Sequence, residues 1–241
     1  MTRIFAHRGF SGEYPENTML AFRKAEECGA EGIELDVHLT ADGTVVIMHD
    51  ENSLRTAGED HLIKDLKTEE FLALDADIVK RGKYGVVHPC TLEEYLEWVS
   101  GTKLDTNIEL KTGVFEYDGI EKKTLDLIDR FDLRKRIIIS SFNHFSVCRF
   151  KALAPDVKCG FLEESWILDP GSYVKAHGVE CWHPYINTLN EESMKDLREN
   201  GVEINSWTIN APEDMKRALD LQLEIGITNY PDRFLAMRNG R

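Results

Sequence analysis

The sequence has 241 residues, of which 42% are hydrophobic and 30% are charged, a composition typical of a folded globular protein. Its 29 lysines and arginines stand against 43 aspartates and glutamates, which gives a formal net charge of −14. This charge argues against a protein that binds nucleic acid or is held on anionic lipid, because both need clustered positive charge. We therefore predict no nucleic-acid partner and no stable membrane association.

No uninterrupted apolar run exceeds four residues, and the first few residues are followed at once by polar ones. Neither a membrane span nor a signal peptide is predicted, so a cytoplasmic location is expected. The five cysteines are widely spaced and include no C-x-x-C pair, which favours reduced thiols over disulfides or a zinc site. They are Cys28, Cys90, Cys148, Cys159 and Cys181.

Short runs that favour β-structure alternate with helical stretches along the chain, which is typical of a parallel sheet or barrel. The runs predicted as strands are Arg3–His7, Gly32–Leu39, Asn107–Lys111, Arg136–Ser140, Lys158–Leu162, Val179–Trp182, Val202–Thr208 and Ile225–Thr228. Eight parallel strands close a (β/α)8, or TIM, barrel, and such barrels often use about 250 residues as one domain. We therefore predict a single α/β barrel domain over residues 1–241.

A ninth β-like run, Val45–His49, follows Gly32–Leu39 after a connection too short for a parallel crossover, so it is predicted to fold back antiparallel. A two-residue turn at Asp42-Gly43 would place Asp36 opposite His49, to within one or two residues, with both side chains on one face. Residues 51–90 then form an insertion after the second barrel strand. It would lie over the C-terminal face, where the active sites of TIM barrels are found.

Acidic residues alternate with apolar ones in Gly32–Leu39, which places Glu34 and Asp36 on the same face of the strand. In the next barrel strand Glu109 and Lys111 share a face, so a third carboxylate and a lysine come close to the first two. Both faces of a parallel strand are normally apolar, and these carboxylates therefore need a partner. Oxygen ligands suit a hard divalent cation such as Mg²⁺ or Ca²⁺, and this metal site is favoured over a structural ion-pair network.

Two histidines at strand ends are the candidates for proton transfer. His7 ends the first strand and His49 ends the return strand. A lone histidine at a strand end is usually structural, but two beside a carboxylate cluster can serve as acid and base near neutral pH. Arg8 and Lys111 supply the positive charge that could stabilise a phosphoryl group.

Together these residues resemble the glycerophosphodiester phosphodiesterase family, from His7 almost to the C-terminus. The matching segments include His7-Arg8-Gly9, Pro15-Glu16-Asn17-Thr18, Gly32-Ile33-Glu34-Leu35-Asp36-Val37, His49-Asp50, Asn107-Ile108-Glu109-Leu110-Lys111, Ser140-Ser141-Phe142, Trp207-Thr208-Ile209-Asn210 and Thr228-Asn229-Tyr230-Pro231-Asp232. The resemblance implies that three carboxylates bind the divalent metal, two histidines transfer protons and two basic residues hold the phosphate. In this order they are Glu34, Asp36 and Glu109; His7 and His49; and Arg8 and Lys111.

The resemblance also implies the reaction, which is hydrolysis of a small glycerophosphodiester to sn-glycerol 3-phosphate and an alcohol. In our mechanistic hypothesis one histidine deprotonates the glycerol 2-hydroxyl, which attacks phosphorus, and the other protonates the leaving alkoxide. Attack by metal-activated water is an open alternative, and the sequence does not decide which histidine is the base. Two other functions also stay open: a lipid phosphodiesterase of the lysophospholipase D or phospholipase C type, and a non-catalytic phosphate-binding barrel.

Several further residues have less specific interpretations. Phe142 and Trp207 are expected to line the pocket and contact the substrate, with core packing as the competing explanation. Glu16 either orients the first loop or caps the helix that begins near Asn17. His183 is interpreted as part of a turn. No role is assigned to His38, His61, His88, His144 or His177.

Overall fold

The computed structural model describes residues 1–80 and 82–240. The strands within these residues are β1 (Arg3–His7), β2 (Gly32–Leu39), β3 (Val45–Ile47), β4 (Asp105–Leu110), β5 (Ile137–Ser141), β6 (Lys158–Glu163), β7 (Cys181–Pro184), β8 (Glu203–Ser206) and β9 (Ile225–Thr228). All except β3 run parallel to their neighbours, and β1 pairs with both β2 and β9 to close the sheet. The predicted TIM barrel is confirmed, and each of its eight strands lies within two residues of the predicted bounds.

Helices follow the strands along the chain. Those in the described residues are α1 (Met19–Glu27), α2 (Leu54–Ala57), α3 (Thr68–Leu72), α4 (Leu92–Ser100), α5 (Ile120–Arg130), α6 (His144–Leu153), α7 (Pro170–Ala176), α8 (Glu191–Glu199), α9 (Pro212–Asp220) and α10 (Pro231–Asn239). They cover the outside of the barrel, except for α2 and α3, which belong to the insertion. Side chains of Thr18, Thr91, Asn143 and Asn190 accept hydrogen bonds from first-turn amides and so fix where four of these helices begin. Within the described part of the chain, no helix is long and apolar enough to cross a lipid bilayer.

The alternation in β2 has the predicted result. Ile33, Leu35 and Val37 pack into the core between the sheet and the helices, and the intervening Glu34 and Asp36 face the barrel interior. Below the acidic residues, the interior is filled by a separate apolar cluster of Phe5, Ile138, Cys181, Ile225 and Ile227. The strands therefore place their polar inward residues above a dry core, at the C-terminal end of the barrel.

The return strand β3 is antiparallel to β2, as predicted, but its register differs by one residue. Val37 pairs with Ile47 and Leu39 with Val45, so the shift lies within the predicted one or two residues, but Asp36 is not directly opposite His49. The backbone amide of Met48 instead donates to the carbonyl of Asp36, at 3.1 Å. His49 follows Met48 beyond the end of the strand.

The turn between β2 and β3 explains the shift. The amide of Gly43 donates to the carbonyl of Thr40 at 2.9 Å, and Gly43 adopts a left-handed conformation with φ of 81°. Thr40 and Thr44 then close a three-residue loop, through hydrogen bonds from Thr40 N to Thr44 O and from Thr44 N to Thr40 Oγ1. A type I turn followed by a left-handed residue is a common three-residue hairpin loop, and its extra residue changes every cross-strand pair by one.

The described residues of the insertion, 51–80 and 82–90, carry α2, α3 and two 3₁₀ helices, Ile63–Asp65 and Ala76–Lys80. Apolar side chains of this insertion form their own small cluster with Val46 and Met48 of the return segment; they include Ile63, Phe71 and Leu74. Lys80 Nζ donates to the carbonyls of Ser11 (2.7 Å) and Gly12 (3.1 Å), which ties the insertion to the loop after β1. The insertion therefore lies at the C-terminal end of the barrel.

All five cysteines are free, and Cys90, Cys159 and Cys181 are buried. Burial raises the pKa of the Cys159 thiol to about 12 and that of the Cys181 thiol well above its usual value. Neither thiol forms the thiolate that a nucleophile or metal ligand needs near neutral pH.

Gly160 of β6 faces the barrel interior at a point where the packing leaves no room for a side chain. A Cβ atom there would lie 2.3 Å from Nε2 of His183 and 3.0 Å from Cβ of Cys181. His183 lies within β7, not in a turn as interpreted from the sequence, and its buried Nε2 is 3.1 Å from Nδ2 of Asn205. We expect Gly160→Ala to lower the free energy of unfolding by about 1–3 kcal/mol, measured by urea denaturation.

Gly101→Ala is the matched control. Its φ is an ordinary −79°, and the nearest atom to an added Cβ is the Trp98 carbonyl oxygen at 3.6 Å. This variant should stay within about 0.5 kcal/mol of the wild type. Equal unfolding midpoints for the two variants would contradict the packing described for Gly160.

Candidate active site

The polar side chains predicted from the sequence meet at the C-terminal end of the barrel. His7 ends β1, Glu34 and Asp36 lie on β2, Glu109 lies on β4 and Lys111 directly follows it. The sheet register pairs His7 with Glu34 and Asp36 with Glu109. Inward-facing residues of neighbouring strands are therefore in contact, although they are far apart in the sequence.

Glu34, Asp36 and Glu109 form a buried acidic cluster in which one oxygen of each residue lies within 4.8 Å of the others. Burial raises the pKa of Glu34 well above its usual value, and the charges of the other two carboxylates raise it further. Burial also raises the pKa of Glu109. Burial opposes ionisation of Asp36 too, but Arg8 and Lys111 outweigh it and lower the pKa of Asp36. The cluster is a site of mutual repulsion that a proton or a cation would relieve.

The donor set fits a hard divalent cation. All three ligands are carboxylates, and Oδ1 of the buried Asp36 accepts no hydrogen bond from the described residues. The buried Oδ1 of the neighbouring Asn107 likewise has no donor there. A buried oxygen that accepts no hydrogen bond is costly, and carboxylate oxygens are the ligands that Mg²⁺ and Ca²⁺ prefer. The residues present can therefore hold such an ion.

Asn229, which follows β9, fixes the orientation of His7. Its Oδ1 is 2.6 Å from Nδ1 of His7, and because an amide oxygen only accepts, Nδ1 carries the proton. Nε2 lies 3.8 Å from Oε2 of Glu34 and keeps its lone pair. Burial, assisted by the charge of Arg8, lowers the pKa of His7 to about 3, so the ring is neutral at pH 7.

His49 has a different partner. Its Nδ1 is 2.5 Å from Oδ1 of Asp50. Burial works against the charge of Asp50, but hydrogen bonds from His49 and Arg55 outweigh it and lower the pKa of this carboxyl below its usual range. The two histidines therefore differ in their partners, a neutral amide at His7 and a carboxylate at His49.

Two cations border the acidic cluster. Lys111 Nζ is 2.9 Å from Oε1 of Glu109, and Arg8 Nε is 3.5 Å from Oδ2 of Asp36. Arg8 has a left-handed backbone with φ of 56°, and its amide donates to the carbonyl of Glu34 at 2.8 Å. Such a conformation is costly for a non-glycine residue and persists only where its surroundings enforce it. The backbone conformation of Arg8 therefore fixes this residue beside the acidic cluster.

Glu16 belongs to the same network, and the capping interpretation is wrong. Its Oε1 accepts from Nη1 of Arg8 at 3.0 Å, whereas the cap of α1 is Thr18, whose hydroxyl accepts from the amide of Ala21. Glu16 also accepts two hydrogen bonds from Arg55 of α2. It therefore orients Arg8, one of the two outcomes left open by the sequence.

A cavity of about 60 Å³ opens beside these groups. Phe142 and Trp207 line its apolar side, with ring centroids 5.6 Å apart and ring planes at 90°. Trp207 is fixed by a hydrogen bond from its indole Nε1 to the carbonyl of His183, at 2.9 Å. The lining residues are His7, Arg8, Glu34, His49, Asn107, Glu109, Phe142, Leu162, Trp207, Thr208 and Ile227.

Four residues at the site have no predicted role in the sequence analysis. Asn17 Nδ2 donates to Oδ2 of Asp36 at 2.8 Å, and Nε2 of the buried His38 is 3.2 Å from the carbonyl of His49. Asn229 and Arg55 are the other two. Asn17 and Asn229 lie inside motifs that match the resembled family, but their uncharged side chains give no pattern that predicts a role. Arg55 lies in the insertion, where no periodicity in the sequence predicts its position.

The fold and site define a TIM-barrel protein with a buried acidic site flanked by two histidines, an arginine and a lysine. The model of the glycerophosphoryl diester phosphodiesterase family matches residues 7–233, and the chain belongs to this family. It is 39% identical over 241 residues to a glycerophosphodiester phosphodiesterase of Bacillus altitudinis, covering 99% of this chain and 98% of the relative.

Two further relatives extend the comparison. A glycerophosphodiester phosphodiesterase of Caldanaerobacter subterraneus is 37% identical over 234 residues, covering 97% of this chain and 96% of the relative. The solved structure of a phosphodiesterase from Oleispira antarctica, in complex with the product sn-glycerol-3-phosphate, has a TM-score of 0.90 at 26% identity. That comparison covers 99% of this chain and 97% of the other. The similarity therefore extends over the whole barrel.

The repulsion in the acidic cluster leads to a prediction about stability. In chelator at neutral pH we expect Glu34→Gln to have a higher free energy of unfolding than the wild type, because folding disfavours the ionised form of Glu34. Each pKa unit by which folding raises the pKa of Glu34 corresponds to about 1.4 kcal/mol of this difference. The raised pKa makes this advantage shrink as the pH falls toward the ordinary value for glutamate, since the wild-type carboxyl then becomes protonated. Urea unfolding between pH 5 and 8 measures the difference.

Mg²⁺ or Ca²⁺ should reverse the order by stabilising the wild type more than Glu34→Gln, since a ligand that binds the folded state raises its stability. Glu97→Gln, on the exposed surface of α4, is the control for loss of one charge. It should show neither effect. A Glu34→Gln protein less stable than the wild type in chelator would contradict the repulsion.

Proposed function

We propose that the protein hydrolyses a small glycerophosphodiester to sn-glycerol 3-phosphate and an alcohol, using a divalent metal and two histidines. The observation that supports this most directly is the arrangement of three buried carboxylates, two differently partnered histidines and two cations at one cavity. Family membership and the named activities of the relatives support the substrate class. We further propose a cytoplasmic location, which the free and mostly buried thiols favour.

Glu34, Asp36 and Glu109 would hold the metal, with Mg²⁺ or Ca²⁺ as the candidates. Such an ion supplies Lewis-acid stabilisation of the charge that develops on phosphoryl oxygens. Arg8 and Lys111 would also stabilise the negative charge on the phosphoryl oxygens. They lie at the edges of the acidic cluster, where each contacts a carboxylate. The guanidinium is suited to bidentate contact with two phosphate oxygens, and the ammonium acts as a point charge.

His7 is proposed as the base in the first step. Its ring is neutral, Asn229 holds Nδ1–H, and Nε2 is free to take the proton of the glycerol 2-hydroxyl. The 2-oxygen then attacks phosphorus, the bond to the leaving oxygen breaks, and His49 donates a proton to that oxygen. Asp50 supports this role because its contact with Nδ1 of His49 orients the ring.

Water opens the resulting cyclic phosphate with the two histidines in exchanged roles. The proton balance closes because His7 returns its proton to the 2-oxygen and His49 takes one from the attacking water. A substrate analogue without the 2-hydroxyl separates this route from direct attack by water, since full turnover of the analogue would exclude the cyclic intermediate.

Replacing either histidine tests the proposal. His7→Ala and His49→Ala should each lower kcat by at least ~100-fold, because each removes a proton-transfer group, with little change in thermal unfolding. His61→Ala, at a partly exposed histidine of the insertion, is the control and should keep wild-type activity. Chelator should also abolish turnover by the wild type. Full activity in either site variant would contradict the assigned roles.

An apolar half of the cavity favours a lipid phosphodiesterase as the second candidate. Phe142, Leu162, Trp207 and Ile227 line it, and the large side chain of Trp166 is exposed in the loop after β6. These residues could accept an acyl chain, as in a lysophospholipase D. The acidic net charge counts against binding to an anionic lipid surface.

Turnover of two substrates distinguishes these functions. We expect kcat/KM to be higher for glycerophosphocholine than for long-chain lysophosphatidylcholine, because the proposed contacts are to phosphate and glycerol. A short-chain lysophosphatidylcholine kept below its micelle concentration is the control that separates recognition of the chain from aggregation of the substrate. A preference for both acylated substrates would favour the lipid phosphodiesterase.

A further inference from the structure

Arg55, on α2 of the insertion, lies between two carboxylates that belong to different parts of the chain. Its Nη1 and Nη2 donate to the two oxygens of Glu16, at 2.9 and 2.7 Å. Its Nε and Nη2 donate to the two oxygens of Asp50, at 2.6 and 3.1 Å. One guanidinium therefore makes two bidentate ion pairs at the same time.

Each of these carboxylates has a second partner at the candidate active site. Glu16 accepts from Arg8 at 3.0 Å, and Asp50 pairs with His49 at 2.5 Å. The result is a continuous chain of contacts, Arg8–Glu16–Arg55–Asp50–His49, which we call the ionic chain. Its two ends line the cavity, whereas Arg55 is not among the lining residues.

The charges along the ionic chain depend on one another. The side chain of Glu16 is only 16% exposed and that of Arg55 is 44% exposed. Burial opposes the charge of Glu16, but hydrogen bonds from Arg55 and the charge of Arg8 outweigh it and lower the pKa of this carboxyl. Without Arg55, Glu16 would keep Arg8 as its charged partner among the described residues. It would then compete with a bound phosphate for the same guanidinium.

We propose that Arg55 is a positioning residue that holds Glu16 and Asp50 so that Arg8 faces the phosphate and His49 faces the leaving oxygen. The proposal rests on the roles given above to Arg8 and His49. A lysine cannot replace Arg55, because a single ammonium does not supply two bidentate pairs in one plane.

The competing explanation is that Arg55 only anchors the insertion to the barrel. Other contacts already do this: Lys80 donates to two carbonyls of the loop after β1, and Tyr84 donates to the carbonyl of Glu13 at 2.9 Å. The apolar cluster beneath the insertion adds to them. Partly exposed ion pairs contribute little to stability, so the fold should survive the loss of Arg55.

The experiment compares Arg55→Ala, Arg55→Lys and Arg134→Ala. Arg134 is a matched control, because its guanidinium also contacts two carboxylates, Asp129 and Asp156, but lies just before β5 at the opposite end of the barrel. Both Arg55 variants should lose about 10- to 100-fold in kcat/KM, the usual effect of removing a residue that orients a catalytic group. Arg134→Ala should keep wild-type kcat/KM at a similar melting temperature.

The separate kinetic constants identify how Arg55 acts. Glu16→Gln should mainly raise KM through Arg8, Asp50→Asn should mainly lower kcat through His49, and Arg55→Ala should do both. In the Glu16→Gln/Asp50→Asn background, Arg55→Ala should cause no further loss, because the partners through which it acts are already neutral. A further loss of the full size in that background would overturn the proposal, since Arg55 would then act by another route.

The remaining outcomes are also decisive. Wild-type kinetics in Arg55→Ala or Arg55→Lys would overturn the proposal. If Arg55→Ala does not fold, Arg55→Lys keeps the charge, and a folded but impaired Arg55→Lys protein supports positioning by geometry. If His49→Ala retains full activity, the proposed function itself fails. An inactive His49→Ala protein beside fully active Arg55 variants would overturn only the role of Arg55.

Discussion

Repulsion among three buried carboxylates is the constraint around which this end of the barrel is organised. Glu34, Asp36 and Glu109 are each less than a tenth exposed, and burial raises the pKa of two of them. Arg8 and Lys111 offset part of this repulsion but do not remove it. A buried cluster of this kind lowers the stability of the fold, a cost that is typical of functional sites. The neighbouring donors Asn17, Arg8 and Lys111 contact these carboxylates and stabilise their negative charge.

The two histidines have different surroundings because different segments carry them, the end of β1 and the residues just after β3. His7 is enclosed by the barrel and bonded to a neutral amide, so its surroundings favour the neutral ring. His49 lies just beyond β3, is more exposed and contacts a carboxylate. The proposed roles of base and acid rest on this difference in partners. The insertion contributes to the difference, because Arg55 orders the carboxylate beside His49.

Local periodicity was sufficient to predict the barrel and the acidic cluster, because inward-facing residues of neighbouring parallel strands must meet. It was insufficient for the return strand, where one left-handed residue, Gly43, lengthens the turn and shifts the register by one. Asn229 contacts a histidine 222 residues earlier in the sequence, and Arg55 contacts a glutamate 39 residues earlier. Such contacts depend on how loops pack over the closed barrel, which no local pattern specifies.

Closure of the barrel explains how the protein tolerates so polar a site. The strands have no free edge between β9 and β1, and their outer faces are covered by helices. Below the acidic cluster, the interior is filled by apolar side chains such as Phe5 and Ile225. The free energy gained by hydrophobic burial is roughly proportional to the apolar area that is buried. The apolar interior and the core between the sheet and the helices therefore offset the local cost of burying the carboxylates. The buried carboxylates that lower stability lie where the strands end and the loops begin, and at that position polar groups can face a ligand.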